Sequence, residues 1–407
     1  MTGDPRVRRA RRLTVTALVA LVLVAVGTYV PVALLVPVAP TPPSVVALAP
    51  PAVDAPELAL PGYGATGVEA LGVPGTRTLA GDQGRRSIAS ISKVVTALVV
   101  LEERPLDGGA GPRVTFTDDD EDLRERYLAV DGKVAPLAAG QALSQRQVVQ
   151  VMLVESANNY ATALARWAFG DDDAFVAAAE GWLAEHDLDD TTIVEPTGLS
   201  PDNRSTTADL LELARLALDD PDVAEIVRTT SLEVPGIGTV ENSNGLLGAD
   251  GVVGIKTGTL DAAGACLLFA ADQVVDGEAT TVVGVVLGAA DHPSLDRDVR
   301  ALLASVSART VTVTPVSAGD VLATYEAPWG ARASAVAAED ATATVWGDAD
   351  ARAEADVEPV REGTRDEVVG DVVVEVGDER VSVPARLDAD LPGPDAWWRL
   401  THPDRLF

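Results

Sequence analysis

The pattern of apolar and polar positions already divides the chain into parts. Leu13 to Val30 is an uncharged run of eighteen residues, about the minimum for spanning a bilayer. A stretch rich in Pro, Ala and Val follows up to Pro61, and its composition predicts a semi-rigid spacer rising about 3.1 Å per residue. GATGVEAL and TRTLA then alternate and are separated by Gly72 to Gly75, as in a strand hairpin. In SIASISKVVTALVVLEE the apolar positions Ile91, Val94, Val95, Leu98 and Val99 recur at helical spacing, which predicts a buried helix. Ala142 to Phe169 carries a helical pattern twice over, Phe175 to Glu185 carries another, and Thr206 to Leu218 reads as a helix with Thr207 as its cap. GVVGIKTGTL, GACLLFAADQVV and TTVVGVVLGA are Val- and Gly-rich runs with turn residues between them, the signature of adjacent buried strands, and SLDRDVRALLASV closes with a helix.

A strand hairpin, then helices, then strands and a final helix imply an α/β domain whose sheet unites both ends of the segment. After Thr310 the chain breaks into short β-prone pieces such as VTVTPV, ATATVWG, DVVVEVG and RVSVPARL. The expected organisation is therefore a basic segment with a transmembrane signal anchor over 1–38 and a Pro/Ala-rich linker over 39–61. An α/β catalytic domain over 62–310 and a small accessory β domain over 311–407 complete it. A length of 407 residues accommodates two globular parts plus extensions.

Charge changes the picture at the amino end. MTGDPRVRRARR carries five arginines against Asp4, about +4, which places that side of the apolar run in the cytoplasm and the rest of the chain outside it. A cleaved signal peptide is the rival reading, but its apolar stretch is usually shorter, and Ala47-Leu48-Ala49 lies far downstream with Pro50 next. The formal charge of the whole chain is -31, leaving roughly -35 beyond residue 12. Nucleic acid is thereby excluded as a partner, because phosphate binding needs a basic face. The single cysteine, Cys266, leaves the fold to its packed core. His186, His292 and His402 lie far apart without metal-ligand spacing, so no metal or other cofactor is implied and each reads as a surface or packing histidine.

Three short motifs occur in order: Ser90-Ile91-Ser92-Lys93, Ser156-Ala157-Asn158 and Lys256-Thr257-Gly258. At the start of a helix Ser90 has free backbone N–H groups beside it, and Lys93 lies one turn on, about 5 to 6 Å away between Cβ atoms. A serine is a poor nucleophile until a neighbour takes its proton, and with no convergent histidine a lysine is the available base. That lysine has to be neutral. Burial in the apolar helix, with Lys256 on a facing strand as a second cation, disfavours its ammonium form. Ser156 and Asn158 follow the apolar Met152-Leu153-Val154, placing them at a helix end or loop facing a cleft. The structural alternatives are a capping Ser90 with a surface Lys93, capping by Ser156 or Asn158, and an edge-strand charge at Lys256.

SIASISKVVTALVVLE, VMLVESANNYATALA, EPTGLSPDNRSTTADLLELA and ENSNGLLGADGVVGIKTGTLDAAGACL together resemble the D-alanyl-D-alanine carboxypeptidase family of low-molecular-mass penicillin-binding proteins, over about Gly62 to Val306. The resemblance implies a β-lactamase/DD-peptidase-like sheet flanked by helices, with a mainly helical subdomain and the active site between them. It also implies D-Ala-D-Ala stem peptides of peptidoglycan as substrates and β-lactams as covalent inhibitors. Carried over to these positions, Ser90 attacks the peptide carbonyl, Lys93 accepts its proton and Ser156 relays a proton to the departing D-alanine. Asn158 holds the substrate backbone, Lys256 and Thr257 bind the terminal carboxylate within the Lys-Thr-Gly motif that Gly258 completes, and the N–H groups of Ser90 and Thr259 form the oxyanion hole. Many relatives carry a threonine or serine two residues after the motif glycine; here that position is Leu260, and Thr259 is the hydroxyl at hand.

Two other readings compete. A class A β-lactamase shares the first and third motifs and needs a carboxylate to direct water, for which Glu195 is the candidate, but EPTGLS departs from the pattern that would support it. An inactive, membrane-anchored binding module has no need of Ser90, Lys93, Ser156, Asn158 and Lys256 together. A DD-endopeptidase of the same family is the closest enzymatic alternative to the carboxypeptidase.

Overall fold

The structure, a computed structural model, describes residues 5–275 and 277–406; Met1 to Asp4 of the basic segment lie outside the described residues. The chain divides into two compact units, Ala55–Val311 and Met1–Asp54 with Thr312–Phe407. Helix α1 (Pro5–Leu35) opens the chain, and its residues Arg9–Leu35 are long and apolar enough to cross a membrane.

The middle unit is built on an antiparallel sheet. The hairpin β1 (Ala65–Ala70) and β2 (Thr78–Gly81) forms as its alternation predicts, and helix α2 (Ser92–Glu103) follows a short 3-10 turn over Ala89–Ile91. Helices α3 (Gln145–Gln150), α4 (Asn158–Phe169), α5 (Asp172–Glu185) and α6 (Thr207–Asp219) come next. Strands β3 (Val252–Leu260), β4 (Gly264–Val275) and β5 (Glu278–Ala289) and helix α7 (His292–Ala308) complete it. The strand order is β3-β4-β5-β1-β2, so the first hairpin and the last strands share one sheet, with β3 at an edge. Helix α2 is buried along almost its whole length and packs against α4, α5 and α6.

Three local features differ from the sequence expectation. Ala142–Ser144 is a short strand, because it pairs with Arg113–Thr115 before Ser144 caps α3. The two helical stretches expected up to Phe169 are present, but the first ends in a π turn over Val151–Glu155 that the pattern did not predict. Thr206, not Thr207, caps α6: its extended backbone lets its hydroxyl accept the Asp209 N–H, as an N-cap requires.

In the other unit, a six-stranded sheet runs in the order Ser44–Val45, Val321–Glu326, Arg332–Ala337, Glu379–Leu387, Val368–Val376, Ala351–Val357. Part of the expected spacer is thus sheet. Val46 N donates to Leu322 O (2.8 Å) and Thr41 N to Val360 O (2.7 Å), and an isolated bridge joins Val53 to Ala349. Extended Pro-rich backbone suits an edge, but Pro42 and Pro43 lack the N–H a longer ladder needs. The WWRL ending forms a short helix, Ala396–Thr401, against the end of α1: the Tyr29 hydroxyl donates to Leu400 O (2.8 Å) and Arg399 to Val36 O (2.7 Å).

Candidate active site

Ser90 sits in the 3-10 turn that leads into α2. Ala89 is held at a φ of 46°, and the Ser92 hydroxyl closes back onto Ala89 O at 2.8 Å, fixing the turn. Neither Ser90 nor its neighbours cap the helix through a side chain. Two glycines make room for the turn. A Cβ on Gly198, whose φ is +84°, would lie 1.9 Å from Ala89 O and 2.9 Å from Ser90 N; one on Gly258 of β3 would lie 3.0 Å from Ile88 O and 3.4 Å from Ser90 N. Ser90 is therefore clamped between the 195–200 loop and the Lys-Thr-Gly strand.

One turn on, Lys93 is fully buried. Its Nζ lies 2.9 Å from Ser90 Oγ, 2.6 Å from Asn158 Oδ1 and 2.6 Å from Thr197 O. Burial pushes the Lys93 ammonium down to about 7, with Glu195 opposing that shift and Lys133 adding to it. A neutral amine has two N–H bonds and one lone pair. Asn158 Oδ1 and Thr197 O can only accept, so they take the two protons and the lone pair faces the Ser90 hydroxyl. The site thereby contains a serine with a proton acceptor already aimed at it.

The second lysine, Lys256 on β3, is also buried, and its Nζ donates to Thr257 O (3.1 Å), Thr257 Oγ1 (3.3 Å) and Ser243 Oγ (3.5 Å). Burial, and then Lys93 and Lys133, hold it well below the ordinary lysine value. This corrects one expectation: repulsion between the two lysines falls on Lys256, while Lys93 is depressed chiefly by burial. Ser243 Oγ lies 2.6 Å from Thr257 Oγ1 and completes a cluster of hydroxyls around the ammonium.

Asn158 opens α4, and its N–H donates to Lys133 O at 2.8 Å. Ser156, two residues earlier, is buried in a left-handed conformation after the π turn. Among the described residues it makes no hydrogen bond to Ser90 or Lys93. Thr259 reaches the edge of the site, where its Oγ1 lies 2.7 Å from His292 Nε2. His292, expected as a surface or packing histidine, thus adjoins the motif strand, and burial is the first cause of its lowered pKa. Glu195 is committed to its own loop: its carboxylate accepts from Thr197 N (2.8 Å), Gly198 N (2.7 Å), Ser200 N (3.2 Å) and Asn203 Nδ2 (3.2 Å). That set of donors explains why it orders the loop and presents Thr197 O to Lys93. The sequence did not single out Thr197, Gly198, Ser243 or His292, because their roles arise from backbone atoms or from elements far off in the chain.

A family profile described as Peptidase S11, D-alanyl-D-alanine carboxypeptidase, matches residues 79–291. That is more than half of the chain and takes in all three motifs. The chain belongs to the D-alanyl-D-alanine carboxypeptidase family. Among family relatives, the D-alanyl-D-alanine carboxypeptidase DacD of Salmonella typhimurium is 28% identical over 232 residues, 56% of this chain and 58% of that protein. A D-alanyl-D-alanine endopeptidase of Escherichia coli is 30% identical over 193 residues, 45% of this chain and 59% of that protein. The chain therefore spans less than two thirds of the length of these curated relatives. The fold matches the crystal structure of the Streptomyces K15 DD-transpeptidase at a TM-score of 0.54 and 26% identity, covering 62% of this chain and 98% of that one. The carboxypeptidase DacD of Francisella tularensis matches at a TM-score of 0.55 and 20% identity, over 86% of this chain and 96% of that one, a likeness of fold.

Proposed function

We propose that this chain is a serine D-alanyl-D-alanine carboxypeptidase that removes the terminal D-alanine from peptidoglycan stem peptides through an acyl-enzyme on Ser90. The observation that carries this reading is the coordination of Lys93, whose two fixed N–H bonds leave a lone pair on the Ser90 hydroxyl. Lys93 takes the Ser90 proton as Oγ attacks the carbonyl of the penultimate D-alanine. The oxyanion is held by the N–H groups of Ser90 and Thr259. Collapse breaks the C–N bond, and the departing D-alanine nitrogen receives a proton from Lys93 by way of Ser156. Water, deprotonated by Lys93, then attacks the ester; the shortened peptide leaves as a carboxylate and Ser90 regains its proton. Asn158 holds the substrate backbone, and Lys256 and Thr257, backed by Ser243, bind the terminal carboxylate.

Penicillin presents its strained amide carbonyl to the same nucleophile and acylates Ser90. The commitment of Glu195 to four loop donors leaves it no role in directing water, which disfavours a β-lactamase of class A type. In the same reading α1 anchors the protein in the cell membrane, with its arginine-rich end cytoplasmic and the rest of the chain outside.

Release of D-alanine from an acyl-D-Ala-D-Ala peptide by the purified full-length protein tests the proposal. The free acid is expected to turn over far faster than the carboxy-terminal amide, since an unpaired buried cation costs about 2 to 5 kcal/mol. Equal turnover would favour the endopeptidase reading, which the replacement of a hydroxyl residue by Leu260 and the identity to an endopeptidase both keep in view.

A further inference from the structure

The chain contains three lysines, Lys93, Lys133 and Lys256, among 31 lysines and arginines. Arginine carries nearly every other positive charge, yet two of the lysines are motif residues and the third has its backbone carbonyl bonded by Asn158 of the second motif. Two are the buried groups described above. The third, Lys133, belongs to none of the motifs and is exposed.

Its mount is rigid. Asn158 N donates to Lys133 O (2.8 Å), Ala135 N donates to Asn159 Oδ1 (3.2 Å), Asn159 Nδ2 donates to Ala135 O (2.9 Å) and the Tyr160 hydroxyl donates to Pro136 O (2.6 Å). These bonds staple residues 133–136 to the first turn of α4. At Gly132 a Cβ would come 2.7 Å from Asn158 Nδ2, so the loop lies directly against the side chain that holds Lys93. Burial first, and the positive charge of Lys133 as a lesser cause, lower Lys93 of α2, Lys256 of β3 and His292 of α7, three elements that carry residues of the site. Although the chain has 62 acidic residues, Lys133 has no ion-pair partner of its own among the described residues.

We propose that Lys133 is a substrate-positioning residue whose ammonium pairs with a carboxylate on the acyl part of the peptide, upstream of the penultimate D-alanine. This rests on the carboxypeptidase reading. There the terminal carboxylate is taken by Lys256 and Thr257 on β3, so a second anion, met beside Asn158 on the α4 side, belongs to the part of the substrate that stays on Ser90. The preferred substrates are peptides with an acidic residue just before D-Ala-D-Ala. A lysine suits this place because its point charge on a flexible stem follows a carboxylate without a fixed fork geometry.

The test compares Nα-acetyl-L-Glu-D-Ala-D-Ala with its isosteric Gln counterpart on the full-length protein, alongside penicillin labelling of Ser90. The wild type is expected to favour the Glu peptide about two- to fivefold in kcat/KM, mainly through KM, as for an exposed ion pair. About 1 M salt should erase the preference. Lys133→Ala should abolish it, Lys133→Glu should reverse it and Lys133→Arg should keep most of it. Equal handling of the two peptides by a wild type that is labelled at Ser90 overturns this proposal alone. So does a Lys133→Ala protein that keeps the preference, or one that slows both peptides alike and only moves the pH midpoint. A wild type that neither releases D-alanine nor takes the label overturns the peptidase reading, and this one with it.

Discussion

With its ammonium pushed down to about 7 by burial, Lys93 changes charge around neutral pH. The lowered value means that the neutral base predominates above pH 7 and is lost as pH falls below it. Penicillin acylation is therefore expected to rise with pH, reach half its plateau near 7 and stay flat above, a profile that stopped-flow labelling would trace. A rate independent of pH from 5 to 9, values chosen about two units either side of that midpoint, would place the proton acceptor elsewhere. Lys93→Ala should fold and acylate about 10² to 10⁴ times more slowly, the usual worth of a positioned general base. At this scale the sequence was informative about Ser90, Lys93, Asn158, Lys256 and Thr257, because each is a side chain inside a compact motif. It was silent about Thr197, whose contribution is a backbone carbonyl that any residue type supplies. His292 was equally hidden, since only the turn from β5 into α7 brings it back to Thr259.

At the level of elements, the site depends on a 3-10 turn, a loop and an edge strand meeting at the backbone of Ala89 and Ser90. Gly198 is the narrowest point. Its φ of +84° and a Cβ position 1.9 Å from Ala89 O leave no space for a side chain. Gly198→Ala is expected to displace the turn, slow acylation and destabilise the protein by about 1 to 3 kcal/mol, measurable by urea unfolding. Wild-type labelling and stability in that variant would show that the 195–200 loop does not set the position of Ser90. Periodicity located α2, α5, α6 and strands β3 to β5, where one face is buried and the repeat is regular. It anticipated a helix end near Ser156 but missed the π turn over Val151–Glu155, because the apolar pattern continues through it. The true cap, Thr206, stood beside the one expected, and backbone angle rather than residue type decided between them.

For the whole molecule, composition separated an apolar helix, an α/β unit and a β-rich tail. It did not reveal that residues 44–45 join the strands of the tail, because a Pro-rich stretch reads the same whether extended in solvent or against an edge. The unit Ala55–Val311 contains every residue of the proposed mechanism and has its own core. Expressed alone, it is expected to fold and take a penicillin label at the rate of the full chain, while the full chain partitions with membranes. A fragment that cannot fold, or a full chain that remains in the soluble fraction, would contradict these two assignments separately. The claim on which all of this turns is that Ser90 forms the acyl-enzyme. Tandem mass spectrometry of the full-length protein after exposure to penicillin tests it most directly. One penicilloyl adduct is expected, on the peptide containing Ser90 and absent from Ser90→Ala; an adduct on another residue, or one that persists in Ser90→Ala, would contradict the account.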